Sequence, residues 1–518
     1  MSPTTPRIGK IVLQDFRFFP GNETYTFDLS ADGKNLLLFG ENGSGKSSLF
    51  QGLRLLLSEK QPRKPFADYR NIFSAGEEGT IAVELTSGMP QDFKWEYGEA
   101  HPAESGATAF FELARRATFL DYKALLRTNV FHEDAEYINL FPLLVETVLR
   151  DVVLPDGRTI YQHWITLCSF TPAEAPPVDA GEEREELPDA VEQINEAATN
   201  FRNQFDEFLN VSAGGRQSLV ARANTILSKL TNGLQIKTTV GTLQVRNVSE
   251  TLSVRPHTFD EAEVRLIAEF IREPIQHPAL FLNEARLTAM ALAFYLAAAQ
   301  ATTPRVGTTD LPRLLVLDDV LIGLDWANRL PVLKILNEEF ADWQVILMTF
   351  DPVWFDLAKE YTEHTGRWQY LKLRELPGSS GTSGRPIIEP CLSPLEKAED
   401  HLHNGDLMAA AVYIRAAFET RLKNVCRDNG IKVAYKPDPK DVKTDQLWQE
   451  IIERQQSRQA NGQVDFIAPT LMQEVETVRS TVLNRLSHSG VPSLNTAEVT
   501  EALRIVRDLQ NHQFRRVP

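Results

Sequence analysis

The stretch FGENGSGKSSL, residues 39–49, decides how the chain is read. Gly40, four intervening residues, then Gly45, Lys46 and Ser47 complete the G-x-x-x-x-G-K-[ST] pattern of a phosphate-binding loop. The preceding KNLLLF (34–39) predicts a buried strand, and SSLFQGLRLLLSEK (47–60) predicts a helix from its apolar spacing. In that setting the glycines let backbone N–H groups close around phosphates, and the helix N-terminus adds the positive end of its dipole. Lys46 would reach the β and γ phosphates, and the Ser47 hydroxyl would hold Mg²⁺. A plain glycine-rich turn has no use for the Lys-Ser pair. The candidate contacts are Gly40, Asn42, Gly43, Ser44, Gly45, Lys46, Ser47 and Ser48, with ATP and Mg²⁺ as the expected ligands.

A second acidic element follows far downstream. LPRLLVLDDVLIGLDWANR (311–329) predicts a buried strand ending in Asp318-Asp319, the form of a Walker B strand. Asp318 would hold Mg²⁺ through water, and Asp319 stands where an attacking water must be oriented or deprotonated. An acidic pair capping an ordinary strand is the plainer alternative. Upstream, LFLNEARLTAMALAFYLAAAQ (280–300) predicts a helix with Asn283 as its N-cap and Arg286 in the first turn. Downstream, QVILMTFDPVWFDLA (344–358) predicts another buried strand, ending at Phe350-Asp351.

In this order, over residues 1 to about 375, these elements resemble the ABC-type ATPases of the RecF/SMC-like branch. The resemblance makes Leu282-Asn283-Glu284-Ala285-Arg286 a degenerate signature, with Asn283 for the usual Ser and Ala285 for the usual Gly. It makes Asp325 of GLD the D-loop aspartate, and it places Phe350 where a His normally precedes the Asp kept here as Asp351. A Q-loop is implied near TFLDYKALLRT (118–128), where no Gln is well placed. In the family the signature helix of one protomer binds the γ-phosphate held by the other, which implies a homodimer or higher homo-oligomer with composite ATP sites. Asp319 is one methylene shorter than the Glu common there, and Phe350 offers no polar side chain, so slow hydrolysis is expected. FLNEARLTA, LDDVLIGLD and TFDPVWFD together resemble AAA-family ATPases of bacterial antiphage and abortive-infection loci. That implies an ATP-dependent switch acting on a separately encoded effector. A RecF-like DNA-repair ATPase is the alternative, as is an ATPase fused to a degenerate HEPN-like effector domain.

The expected fold is α/β: an ABC-type head with a short helical-hairpin insertion and a separate all-α C-terminal domain. The N-terminal lobe is expected over 1–175, and an acidic linker with the hairpin over 176–233. The C-terminal lobe follows at 234–375, a flexible Gly/Ser-rich linker at 376–390, and a helical docking domain at 391–518. That last part holds acidic and basic side chains in about equal number, without the basic excess of an autonomous nucleic-acid binder. Its helix TAEVTEALRIVRDLQNHQF is expected to start from an N-cap Thr496 ahead of Glu498. Arg485 and His488 lie too close together for the Arg and His of a HEPN ribonuclease, and Arg479 lies too far from His488.

The net charge of −16 disfavours indiscriminate wrapping of nucleic acid, which depends on phosphate neutralisation. Local contact stays open through KQPRK (60–64) and ARR (114–116), although short basic clusters are more often solvated surface. No apolar run approaches the roughly 18 residues that span a bilayer, and MSPTTPRIGKIVLQDF has no apolar signal core. A cytoplasmic location without a membrane partner is expected. Cys168, Cys391 and Cys426 are too few and scattered for a disulfide framework or zinc site.

Overall fold

The computed structural model describes all residues other than 1–5, 60, 75, 87–92, 124, 126–137, 142–143, 146–148, 151, 170–187, 213–216, 248–257, 276–280, 302–310, 364, 378–383, 434–443, 484–493 and 515–518. The chain divides into two compact units, Met1–Pro390 and Cys391–Pro518.

The first unit opens with an antiparallel pair, β1 (Ile8–Gln14) and β2 (Tyr25–Asp28). Strand β3 (Asn35–Gly40) then leads through the glycine loop into helix α1 (Lys46–Leu56). Strands β4 (Thr80–Leu85) and β5 (Phe93–Glu96) complete an antiparallel sheet of order β2-β1-β4-β5. Helix α2 (Thr108–Arg115), β6 (Ala117–Asp121), β7 (Ile138–Asn139) and helix α3 (Ile160–Cys168) follow. Next come α4 (Pro188–Asn210), α5 (Leu219–Leu230), β8 (Leu234–Val240) and the ribbon of β9 (Gln244–Asn247) with β10 (Thr258–Asp260). Strand β11 (Val264–Phe270) pairs with β7, β8 and β12 (Glu273–Pro274).

The chain continues through α6 (Glu284–Ala301), β13 (Arg313–Asp318), α7 (Trp326–Glu339) and β14 (Trp343–Thr349). It closes the unit with α8 (Pro352–Glu363), β15 (Trp368–Leu376) and β16 (Arg385–Pro390). The central sheet has the order β16-β15-β3-β14-β13-β6, parallel except at β16. Its strands β3, β13 and β14 are nearly continuous apolar runs because both faces are covered. Leu36, Leu38, Leu314, Val316, Ile346 and Met348 join Leu49, Phe50 and Leu53 of α1 in one core. Phe39 points to the other face, with its ring centroid 5.8 Å from that of Phe355 in α8. A fully buried amide ties the two sheets: Gln344 Oε1 accepts from the Ile8 N–H and Nε2 donates to the Ile8 carbonyl, both at 2.8 Å.

Two sequence-based boundaries change. The hairpin expected as an insertion is built into the first unit. Fourteen of the eighteen residues of α6 are buried, and a helix apolar on all sides needs cover on all sides. Helix α5 packs along it, burying Leu219, Val220, Ala223, Ile226, Leu227 and Leu230. Arg222 donates to Gln300 at 2.7 Å, and both Arg222 and Lys229 pair with Glu339 of α7. The tract 376–390, expected as a linker, instead carries β16, which pairs with β15 from Leu376↔Arg385 to Leu371↔Pro390. The Gly/Ser run thus joins two strands of one sheet, and Pro386 and Pro390 are tolerated because β16 is an edge strand.

The second unit consists, among the described residues, of α9 (Pro394–His403), α10 (Leu407–Asp428), α11 (Thr444–Ala460), α12 (Pro469–Val478), a short π-helical turn (Arg479–Leu483) and α13 (Thr496–Asn511). Ile414, Leu422, Trp448, Ile451, Val499 and Leu509 lie in its core. The cap of α13 is Asn495, not Thr496: the Glu498 N–H donates to Asn495 Oδ1 at 2.8 Å, and the carboxylate reaches back to the Asn495 N–H. A reciprocal capping box needs three residues of separation, which Asn495 has from Glu498 and Thr496 lacks. Arg485 and His488 lie outside the described residues, whereas Arg479 is engaged by Glu476 and Asp445. Among the described residues no helix is long and apolar enough to cross a membrane. None of Cys168, Cys391 and Cys426 is joined in a disulfide.

Candidate functional site

The phosphate loop sits between the end of β3 and the start of α1, and its shape depends on glycine. A Cβ on Gly40 would stand 2.4 Å from Ser44 Oγ and 2.9 Å from the Lys46 side chain. Gly45 has φ of +109°, and a Cβ there would meet Phe18 at 2.9 Å. The loop is closed by its own backbone: Ser44 N–H donates to the Glu41 carbonyl, and Ser48 N–H to Gly45 at 3.0 Å. Asn42 and Gly43 are exposed, while Ser44, Lys46 and Ser48 are buried.

The loop meets the end of β13. Ser47 Oγ donates to Asp318 Oδ2 at 2.9 Å, and Lys46 Nζ lies 3.8 Å from Asp319 Oδ2. Lys46 also donates to the Gly40 carbonyl at 2.6 Å and to that of Glu41 at 3.2 Å. Asp319 adopts φ of +53°, a conformation that a non-glycine residue takes at a cost. It is held there by both ends: its N–H donates to the Met348 carbonyl, and its Oδ1 accepts from the Phe350 N–H at 3.0 Å. Phe350 therefore serves through its backbone, although its side chain is apolar. Burial, with the neighbouring Asp319 charge adding to it, pushes the Asp318 carboxyl up to about 6. Burial likewise raises Asp319, against the opposing pull of Lys46.

The donor set at this point is all oxygen. Ser47 Oγ and the Asp318 carboxylate suit a hard cation such as Mg²⁺, and Asp318 Oδ1 is buried without a hydrogen-bond partner. The residues present fit such an ion. Ser44 Oγ is likewise buried without a partner, beneath the loop. Among the described residues no group of three or more His, Cys, Asp or Glu forms a separate metal cluster.

Not all predicted residues converge. Asn283 caps α6, its Oδ1 accepting from the Arg286 N–H at 3.1 Å. Among the described residues no hydrogen bond or ion pair joins it to residues 40–48. The start of α6 instead lies against Gly323, where a Cβ would meet Thr288 Oγ1 at 2.4 Å. Asp325 occupies the N-cap of α7 but its side chain makes no capping bond, and it is exposed. One link escaped the sequence reading: Asp351 accepts from Arg329 at 2.8 Å and caps α8 through the N–H groups of Val353 and Trp354. Arg329 also donates to the Leu324 carbonyl, so the end of β14 is joined to the turn before α7.

A parallel sheet with a glycine loop feeding a helix, beside a strand ending in a carboxylate pair, is the architecture of a phosphate-loop nucleotide-binding domain. Residues 10–100 match the family described as AAA domain. The structure is similar to an SMC head domain with an extended coiled coil bound to the C-terminal domain of ScpA, derived from Pyrococcus furiosus. There the identity is 15%, the match covers 77% of this chain and 99% of that one, and the TM-score is 0.43. It is also similar to the SMC head domain from Thermotoga maritima, at 12% identity over 74% of this chain and 99% of that one, with a TM-score of 0.35. No curated protein matches the chain.

Proposed function

We propose that the chain is a Mg²⁺-dependent, slowly hydrolysing ATPase that works as a nucleotide-driven switch. The observation that carries this reading is the hydrogen bond from Ser47 Oγ to Asp318 Oδ2, which brings a phosphate-loop hydroxyl onto a buried carboxylate from a distant strand. A bond between these two groups has little value for the fold alone, because it keeps a carboxylate in a buried place where ionisation is costly.

The assigned roles follow from position. The loop N–H groups and the start of α1 would cradle the phosphates, and Lys46 would exchange its carbonyl partners for charge-assisted bonds to phosphate oxygens. Ser47 and Asp318 would hold Mg²⁺, which supplies charge neutralisation between the phosphates when bound. Asp319, oriented by the Phe350 N–H, would position the attacking water. Its short side chain, and an apolar residue where a polar partner is usual, favour slow turnover. Each 1.4 kcal/mol lost costs about tenfold in rate, so two imperfect contacts amount to roughly a hundredfold. Among the described residues Asn283 and Asp325 make no hydrogen bond or ion pair to the loop, and both are exposed; this supports a site completed by a second copy. The sequence resemblance to antiphage ATPases supports control of a separately encoded effector, with 391–518 as the docking unit.

The test is calorimetry of ATP with Mg²⁺, paired with steady-state hydrolysis. Lys46→Ala is expected to abolish binding, while the unaltered chain binds ATP and turns over well below ten per second. Equal affinity in the Lys46→Ala protein would remove the site assignment, and turnover of tens per second would remove the switch. Hydrolysis strongly stimulated by DNA would favour a repair ATPase instead.

A further inference from the structure

Strand β5 is an edge of the sheet β2-β1-β4-β5, and its residues alternate: Phe93 and Trp95 are buried, Lys94 is exposed. Tyr97 continues on the Trp95 face, its N–H donating to the Gly79 carbonyl at 2.9 Å. Both rings line a cavity of about 330 Å³, together with Pro65 and Phe66 from the stretch between α1 and β4, and with Glu99 and Glu104. No residue of the phosphate loop lines it. The walls are preformed. Trp95 stands edge-on to Phe66 and to His101, with ring centroids 5.0 Å apart in both pairs. His101 is itself fixed, donating to the Leu55 carbonyl at 3.0 Å and accepting from the Ala103 N–H at 3.2 Å.

Three features of this lining call for three different groups on a ligand. Trp95 is only 3% exposed, and the surface it keeps lines the cavity. Its indole N–H has no hydrogen-bond partner among the described residues and, unlike that of Trp354, is not sealed in the core, so it calls for an acceptor. The ring edge is the positive part of an aromatic quadrupole, which argues against a cage for a cation at this point. Pro65, Phe66 and Tyr97 offer an apolar floor. Glu99 and Glu104 are exposed and have no ion-pair partner among the described residues, whereas Lys64, also on the lining, pairs with Asp68 at 3.8 Å. The rim therefore attracts a cation. We propose that the cavity docks a proline-containing, basic peptide segment of a partner protein. A peptide carbonyl accepts from the Trp95 indole, the pyrrolidine ring fills the floor, and an arginine or lysine reaches Glu99 and Glu104. Proline brings no N–H that an apolar floor would leave unpaired, and its polyproline II chain is already extended, so docking costs little entropy. The same carboxylates disfavour the phosphates of a nucleic acid.

The experiment probes the full chain with an array of synthetic peptides in four classes, with or without proline and with arginine or glutamate. The best proline-arginine peptide is then labelled, and its affinity is read by fluorescence anisotropy. Binding is expected only in the class that holds both proline and arginine. Trp95→Phe keeps the ring and removes the donor; it is expected to weaken the peptide about five- to tenfold with the melting temperature unchanged. Glu99→Gln combined with Glu104→Gln is expected to weaken it about fivefold at low salt and less at high salt. These two glutamates are exposed, so the pair decides the matter even where Trp95→Phe fails to fold. No binding in any class overturns the proposal, as does equal binding of the glutamate peptides or an affinity within twofold of the unaltered chain in the glutamate pair. Displacement of the peptide by a single-stranded oligonucleotide, with that oligonucleotide's own binding lost in Trp95→Phe, would assign the cavity to nucleic acid and overturn it too.

Discussion

At the scale of single residues, the site trades stability for chemistry. The Asp318 carboxyl is held at about 6, above its ordinary 3.8, by burial and by Asp319. A carboxyl raised in the folded state binds protons that the unfolded chain has released, so its contribution to stability is present below pH 4. That contribution is lost as pH rises through 6. At pH 7 the ionised group costs the ligand-free protein up to about 3 kcal/mol, taking 1.36 kcal/mol per pH unit. Asp318→Asn keeps an acceptor for Ser47 and removes the charge. It is expected to raise the melting temperature of the ligand-free protein at pH 7 and to gain little at pH 4, read by calorimetric scans at both values. A lower melting temperature at pH 7 would contradict the assigned cost. The loop and the acidic pair were legible in the sequence because each is contiguous and chemically unlike its surroundings. The Arg329–Asp351 pair was not, because only the fold brings these two side chains, on separate elements, to 2.8 Å.

At the scale of elements, the sequence revealed which segments are helical and strand-like better than it revealed what they pack against. The apolar runs predict the strands before the loop, at Walker B and before Phe350-Asp351, and β3, β13 and β14 lie side by side in the central sheet. Helix α5 was expected to stand in an insertion because its periodicity shows only one apolar face, and periodicity does not name the partner of that face. The all-round apolar character of α6 was the available signal, since such a helix demands neighbours. Similarly, Gly/Ser composition stands between paired strands as readily as between domains, and the pairing of β15 with β16 puts both flanks of this run in one sheet. Leu227, fully buried on α5, tests the packing. Leu227→Ala is expected to destabilise the first unit by about 3 kcal/mol, within the range for buried leucines, as read by urea unfolding. A loss below about 0.5 kcal/mol would mean that α5 does not belong to that core.

At the scale of the whole molecule, the account places half of the site on a second copy. In the proposed dimer the loop with Asp318 and Asp319 would form one half, and Asn283, which caps a helix whose N-terminus favours anions, would form the other. Asn283→Arg would remove the helix cap and put a bulky side chain into the proposed contact; it is expected to prevent ATP-driven association while leaving ATP affinity of the single chain within threefold. Mixed with Lys46→Ala, it should yield heterodimers with one site doubly damaged and one intact, recovering up to half of the hydrolysis per dimer. Recovery absent at all ratios would argue that each chain completes its own site.

Sedimentation velocity of an Asp319→Asn chain, with and without ATP and Mg²⁺, tests the central claim most directly. Replacing the water-positioning carboxylate should trap the nucleotide-bound state. The account predicts monomers without ATP, dimers with it, and no shift in a chain that also carries Lys46→Ala. Sedimentation unchanged by ATP, with calorimetry showing the nucleotide bound, would contradict it.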